Sequence, residues 1–188
     1  MKAIPISLPP LAEQQRIVAK IEALFSSLDK GIESFKTAQA QLKVYRQAVL
    51  KQAFEGKLTN KNVQEGELPE GWKNITLMDV ADVSGGITKN AKRENFPKRY
   101  PYLRVANVYQ NYLDLKSVEN IGVQDGELDR CLLIKGDILF VEGNGSLEQI
   151  GRAAIWTGEI TNCVHQNHII KARPRPSVLG KFILYYFF

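Results

Sequence analysis

Side chains able to read or grip a nucleic acid recur in three short segments of this chain. Between Asn144 and Arg152 the sequence places amides at Asn144 and Gln149, a hydroxyl at Ser146 and a guanidinium at Arg152. Such groups hydrogen-bond base edges and phosphate oxygens, although the same residue types also make an ordinary polar loop. Gly85 and Gly86 let a backbone approach a phosphate closely, and Thr88 and Lys89 follow as donors. Read alone, Ser84-Gly85-Gly86 is only a turn. Gln166 and His168 share one face of a strand by alternation. There they can donate to phosphates and bases, or simply be satisfied within a sheet. Cys163, His165 and His168 have the residue types of a metal site. Alternation puts Cys163 and His165 on one face and His168 on the other, with no fourth ligand evident, so no metal is expected.

Signatures of catalysis are missing. The sequence has no GxSxG, no P-loop, no GxGxxG opening a helix and no HExxH. Nor does it contain the spaced acidic–lysine set of a nuclease. The chain is therefore expected to be non-catalytic.

The charge is uneven. Residues 1–62 carry 10 Lys/Arg against 5 Asp/Glu, while 63–188 carry 15 against 15. Within the neutral part, Lys89, Lys92, Arg93, Lys98, Arg99 and Arg104 cluster, and Lys171, Arg173, Arg175 and Lys181 form a second basic group. Asp114, Glu119, Asp125, Glu127 and Asp129 make an acidic stretch between them. Segregated charge of this kind predicts a face that holds a polyanion, with charged loops that merely aid solubility as the alternative.

These segments need a scaffold. A chain of 188 residues holds one domain of about 100–150 residues plus an appendage. With 44% hydrophobic and 24% charged residues it reads as folded. Two cysteines, no apolar run of membrane length and no signal peptide point to a reduced, cytoplasmic setting.

The appendage is one long amphipathic helix from Pro9 to Gly56, with the prolines in its first turn and the glycine as a left-handed cap. Steps of three and four residues give an apolar seam of Val18, Ile21, Phe25, Leu28, Ile32, Phe35, Leu42, Val49 and Ala53. Only Gln39 and Arg46 interrupt it, and they either fix register or snorkel. That is the 3.5-residue period of a coiled coil, on a helix about 65–70 Å long. Gly31 is its one weak point. Residues 57–71 read as a linker. From Trp72 onward the texture is strand-like: alternation over Ile75–Val83, strands at Tyr102–Val108, Ile138–Val141, Ala153–Trp156 and Cys163–Ala172, and turns at Gly136-Asp137 and Gly143-Asn144-Gly145. The closing KFILYYFF reads as the start of a buried helix.

Several phrases carry a family likeness. PPLAEQQRIV (9–18), FEGKLT (54–59) and LPEGW (68–72) resemble the central conserved region of the specificity (S) subunits of type I restriction–modification systems. Val83–Lys89 resembles that family's SGGTPS-like loop, departing from it at Ile87 and Lys89. Tyr102–Val108, the KGDIL at Lys135–Leu139 and the HQN at His165–Asn167 follow in the family's order, so the likeness covers nearly the whole chain.

The resemblance implies an α+β (mixed α/β) fold. A conserved coiled-coil spacer helix (1–56) and a linker (57–71) precede a mostly β target recognition domain (72–188), incomplete at its C-terminus. A first recognition domain and a second conserved helix, the antiparallel partner of the first, are absent from the sequence. The implied function is recognition of half of a bipartite site in double-stranded DNA. Phosphate contacts fall to Lys89, Lys92, Arg93 and Arg99, and base reading to Asn144, Ser146, Gln149 and Gln166, with Gly85, Gly86, Thr88, Arg152 and His168 beside them. Glu13, Gln14 and Arg16 would dock methyltransferase subunits, and the seam would support an antiparallel homodimer. No cofactor is expected in this chain, since S-adenosylmethionine, ATP and Mg belong to the methyltransferase and restriction partners. Two other readings stand beside this one: a coiled-coil dimerisation protein with a degenerate domain that binds no DNA, and the recognition part of a fused methyltransferase–nuclease.

Overall fold

A computed structural model describes residues 5–60, 62–143, 145–146 and 149–188; Asn144 therefore lies outside the described residues. Helix α1 spans Leu11–Phe54. Pro10 is its N-cap, with extended ψ of 149°, so both prolines stand just ahead of the helix rather than within its first turn. The Gln14 amide turns back to donate to the Pro9 carbonyl at 2.8 Å. At the other end Gly56 adopts φ +76° and its N–H donates to Ala53 O, the left-handed ending its position predicts.

Glycine is required there for a second reason. A Cβ on Gly56 would stand 2.1 Å from Pro69 Cγ. Pro69 is buried, and Leu58 N–H donates to Gln52 O at 3.1 Å. Leu58 and Pro69, from the two ends of the expected linker, are thus held against the end of the helix.

No residue of α1 is buried. Phe25, Leu28, Phe35 and Leu42 leave between 60 and 80% of their surface in solvent, so most of the apolar seam stands open. Only its last turns meet the domain. Arg46 lies over the Phe188 ring (5.6 Å), and Phe54 packs edge-on against Phe182 (5.3 Å) and Tyr186 (5.2 Å). The guanidinium of Arg46 thus finds an aromatic face in the domain, a third fate beyond register and snorkelling. Val49 is half-buried at the same junction, at the edge of the exposed seam.

The domain opens with a short helix, α2 (Leu77–Val80), inside the stretch whose alternation predicts a strand. Thr76 and Asp79 decide the matter. The Asp79 carboxylate accepts from both the N–H and the hydroxyl of Thr76, and such reciprocal capping stabilises a helical turn locally.

The strands are β1 (Ala81–Gly85), β2 (Arg99–Leu103), β3 (Val108–Tyr109), β4 (Tyr112–Leu113), β5 (Glu119–Gly122), β6 (Ile138–Val141), β7 (Ala153–Ile155), β8 (Val164–His165) and β9 (Ile169–Pro174). A short helix α3 (Leu128–Cys131) and a closing helix α4 (Gly180–Tyr186) complete the domain. A four-stranded antiparallel sheet has the order β1-β9-β6-β7. A second sheet has the order β5-β2-β8, with β2 and β8 parallel, and β3-β4 is a hairpin.

Both faces of the four-stranded sheet are covered, which is why Ile138-Leu-Phe-Val reads as a continuous apolar run. On one face Leu139 and Val141 join Leu103, Trp156 and Ile169. On the other, Ile138 and Ala153 meet Ile183 and Leu184 of α4. The helix is only half-buried, with Phe182, Tyr186 and Phe187 between 46 and 63% exposed.

Two expected strands break. Tyr102–Val108 stops at Leu103 in a 3₁₀ turn, Val105–Asn107. The buried Asn107 accepts from Arg104 N–H and donates to the carbonyls of Asp114 and Ser117. Cys163–Ala172 is interrupted by a turn at 167–168, so strand alternation does not extend across it.

Candidate nucleic-acid interface

The loop after β1 is built by close approach of chains. Gly86 is buried, and a Cβ there would stand 2.1 Å from His165 O and 2.4 Å from Gln166 O. Ile87 N–H donates to His165 O (2.7 Å), and Asn167 N–H donates to Ile87 O (3.0 Å). The small residue is required by this contact with the 165–167 segment rather than by a phosphate, which corrects the expectation for Gly86. Gly85, Thr88, Lys89 and Lys92 remain exposed.

Arg93 is a second correction. The residue is buried, and its guanidinium donates to Thr88 O, Gly122 O and both oxygens of Glu127 at 2.7–3.1 Å. Arginine's planar fork suits this bidentate arrangement. Arg93 holds the Glu127 carboxyl down at about 2, well below the usual carboxylate range. The residue braces the loop from within, with four of its five N–H donors already engaged by the chain.

The charge segregation seen along the sequence does not survive folding. Antiparallel pairing of β2 with β5 brings the acidic stretch onto the basic one. Glu119 is held by Lys89 (3.0 Å) and Arg104 (2.7 Å), and Lys98 pairs with Asp125 (2.8 Å). Arg99 donates to Asn120 O. In the second basic group, Lys171 is buried on the carbonyls of Arg130 and Leu132, and Arg173 grips the fully buried Asp137 through two bonds. Asp137 also accepts from Ile134 N–H, so the Gly136-Asp137 turn is structural, as its sequence suggests. Lys92 keeps an exposed charge with no ion-pair partner among the described residues, and the exposed pairs of Lys89 and Lys98 are of the weak surface kind.

The other polar segment lies across the end of β6 and β7. Ser146 is exposed and Gln149 half-buried. Arg152 Nε donates to Gln149 O (3.2 Å), and its guanidinium sits over the Tyr109 ring (5.0 Å). Tyr109 in turn stacks on Tyr112 with centroids 4.7 Å apart and planes 11° from parallel. The sequence reading missed this β3-β4 hairpin. The available signal was Tyr109-Gln110-Asn111-Tyr112, an asparagine that tolerates positive φ between two aromatic strand formers; Asn111 does adopt φ +66°.

The 166–168 turn joins the two regions. Gln166 Oε1 accepts from Val105 N–H (3.1 Å), so part of its capacity is committed inside the domain. His168 is exposed on the far side of the turn, its ring against Gly143, and its carbonyl accepts from Glu142 N–H (3.0 Å). Because the strand breaks here, the common face expected for Gln166 and His168 is not formed.

Cys163 and His165 are both fully buried, while His168 is not. Burial pushes the Cys163 thiol up to about 12 and the His165 imidazole down to about 4, so both are neutral at pH 7. His165 Nδ1 donates to Ile169 O (2.9 Å), and Nε2 is enclosed without a partner among the described residues. Among those residues no three His, Cys, Asp or Glu side chains are placed to hold a metal ion.

The family model for the type I restriction modification DNA specificity domain matches residues 69–188, well over half of the chain. The chain belongs to the type I restriction–modification specificity family. It is 29% identical over 186 residues to the EcoKI specificity subunit of Escherichia coli, covering 98% of this chain and 40% of that protein. To the StySPI specificity subunit of Salmonella potsdam it is 27% identical over 187 residues, covering 97% of this chain and 39% of that protein. The crystal structure of the HsdS subunit from Thermoanaerobacter tengcongensis shares its fold, with a TM-score of 0.64 at 22% identity over 96% of this chain and 41% of that one. This specificity-family chain thus spans about two fifths of the length of the relatives it matches. The shared fold accords with the long helix and strand-rich domain expected from sequence. No helix is long and apolar enough to cross a membrane among the described residues.

Proposed function

We propose that this chain is a DNA-recognition unit of a type I restriction–modification complex, reading one half of a bipartite duplex target. The observation that carries this reading is the junction at the 166–168 turn. Backbone hydrogen bonds there from Ile87, just ahead of the exposed Thr88–Lys92 loop, and from Glu142, just after β6, reach one small element. Lys89, Lys92 and Arg99 supply phosphate contacts, and Ser146, Gln149, Arg152 and His168 supply donors to the grooves. The exposed pairs of Lys89 and Lys98 exchange a carboxylate for a phosphate at little cost.

The chain itself is non-catalytic in this reading. Methylation and cleavage, with S-adenosylmethionine, ATP and Mg, belong to methyltransferase and restriction subunits in the cytoplasm, and Glu13, Gln14 and Arg16 lie on the docking surface for the methyltransferase. A second reading, self-association through an antiparallel helix pair, is favoured by the openness of the seam from Val18 to Leu42.

Titration of a duplex against the chain, alone and with its methyltransferase subunit, tests recognition. Affinity is expected to fall linearly on a log–log plot against salt, and replacing Lys89, Lys92 and Arg99 together by alanine flattens the slope by about 2–3. Absence of duplex binding at low salt in both settings would remove this function.

A further inference from the structure

The β3-β4 hairpin has properties that packing alone does not require. Its inner ring, Tyr109, is engaged on the protein side by the Arg152 guanidinium and stacks on Tyr112. Tyr112 leaves 56% of its surface in solvent. The tip residues Gln110 and Asn111 are both exposed, and no side-chain hydrogen bond within the chain engages either amide among the described residues. The tip is nevertheless fixed. Asn111 is held at φ +66° and its N–H donates to Ala153 O at 2.8 Å, which ties the hairpin to β7. A rigid two-stranded ribbon with two unengaged amides at its end is thus presented beside Arg152 and Gln149.

We propose that this hairpin is a base-reading ribbon for the duplex major groove, with the Gln110 and Asn111 amides as the groups that select adenine. The proposal rests on the DNA-recognition reading above and assigns within it a subsite that the sequence does not point to. A two-stranded ribbon fits the width of the major groove, and a Gln or Asn amide matches the N6 donor and N7 acceptor of adenine together. The stack of Tyr109, Tyr112 and Arg152 gives the ribbon its stiffness, so the amides lose little freedom on binding. A guanidinium braced on an aromatic ring also keeps a positive charge at the base of the ribbon, where the phosphates flank the groove.

The test is enrichment of sequences from a random duplex pool by the full chain, alone and with its methyltransferase subunit. The double substitution Gln110→Ala with Asn111→Gly removes both amides while preserving the positive φ at 111. It is expected to flatten the preference at one or two positions of the enriched site by about 5- to 100-fold, the range of a lost bidentate contact. Affinity for random duplex should stay within about twofold, since no phosphate contact is touched. Gln110→Glu is expected to replace the adenine preference by cytosine, because a carboxylate accepts from cytosine N4. Recovery of the wild-type site by these variants would overturn the hairpin assignment and leave the DNA-recognition reading standing. Equal loss of all sequences would overturn it too, by assigning the hairpin to phosphate grip or to folding. A wild-type chain that retains no duplex in either setting removes the DNA-recognition reading itself, and the hairpin's role with it.

Discussion

Arg93 and Lys92 stand side by side in a basic run, yet only Lys92 keeps its charge in solvent. The Arg93 fork satisfies a loop carbonyl, a strand carbonyl and the Glu127 carboxylate at once. Arg93→Ala strands Glu127 and frees the loop that carries Thr88 and Lys89, so it is expected to lower stability by about 2–4 kcal/mol in urea unfolding. Lys92→Ala is expected to leave the urea midpoint unchanged, weaken binding to every duplex alike, and flatten the salt slope by about one. If the two substitutions behave the same way, Arg93 is not the brace and Lys92 not the contact. The residue types at these positions are visible in the sequence, but the partners are not. Glu127 lies 34 residues from Arg93, and the β2-β5 register that also sets Glu119 between Lys89 and Arg104 is a long-range pairing. Charge read along a chain therefore exaggerates segregation wherever antiparallel strands fold an acidic segment onto a basic one.

The long helix was the most legible element, because a 3.5-residue repeat and a terminal glycine are local signals that tertiary contacts leave intact. Leu28→Glu with Phe35→Glu is expected to abolish self-association in sedimentation while the melting transition of the domain is retained, since neither residue is buried. A shifted melting transition would mean that α1 belongs to the domain core. The strand-rich part was legible as a class and poorly legible in detail. Alternation over Ile75–Val83 missed α2 because the Thr76–Asp79 exchange outweighs so short a strand pattern. The segment from Cys163 to Ala172 looked continuous because Gln166-Asn167-His168 carries no glycine or proline to mark its turn. The hairpin escaped because each of its strands is only two residues long. Of the candidate site, donor chemistry in the sequence points to Gly85–Lys89 and to the run from Asn144 to Arg152, whereas the stacked tyrosines that set Arg152 depend on contacts no spacing reveals.

At the scale of the whole molecule, two groups, the buried His165 and the half-buried Glu127, make stability fall on acidification. His165 titrates at about 4 in the fold against an ordinary 6.5, and Glu127 at about 2 against 4.5. In both cases the folded value is the lower, so the unfolded chain binds more protons and stability declines as pH falls. His165 contributes between pH 6.5 and 4, worth about 3 kcal/mol, and Glu127 contributes below 4.5. The urea midpoint is expected to be flat between about pH 7 and 8 and to drop through these two windows on acidification. In His165→Gln the upper window disappears and the lower one persists; a midpoint unchanged between pH 7 and 5 in the wild-type chain contradicts this assignment. The contact of Gly56 with Pro69 and the ring cluster around Phe54 also act on the molecule as a unit. They make the joint between helix and domain a weld, so α1 works as a lever about 66 Å long. A partner that displaces the far end of the helix by about 5 Å turns the domain through only about 4°. Coarse movements of an assembly at one end are geared down to fine adjustments of the hairpin and loops at the other.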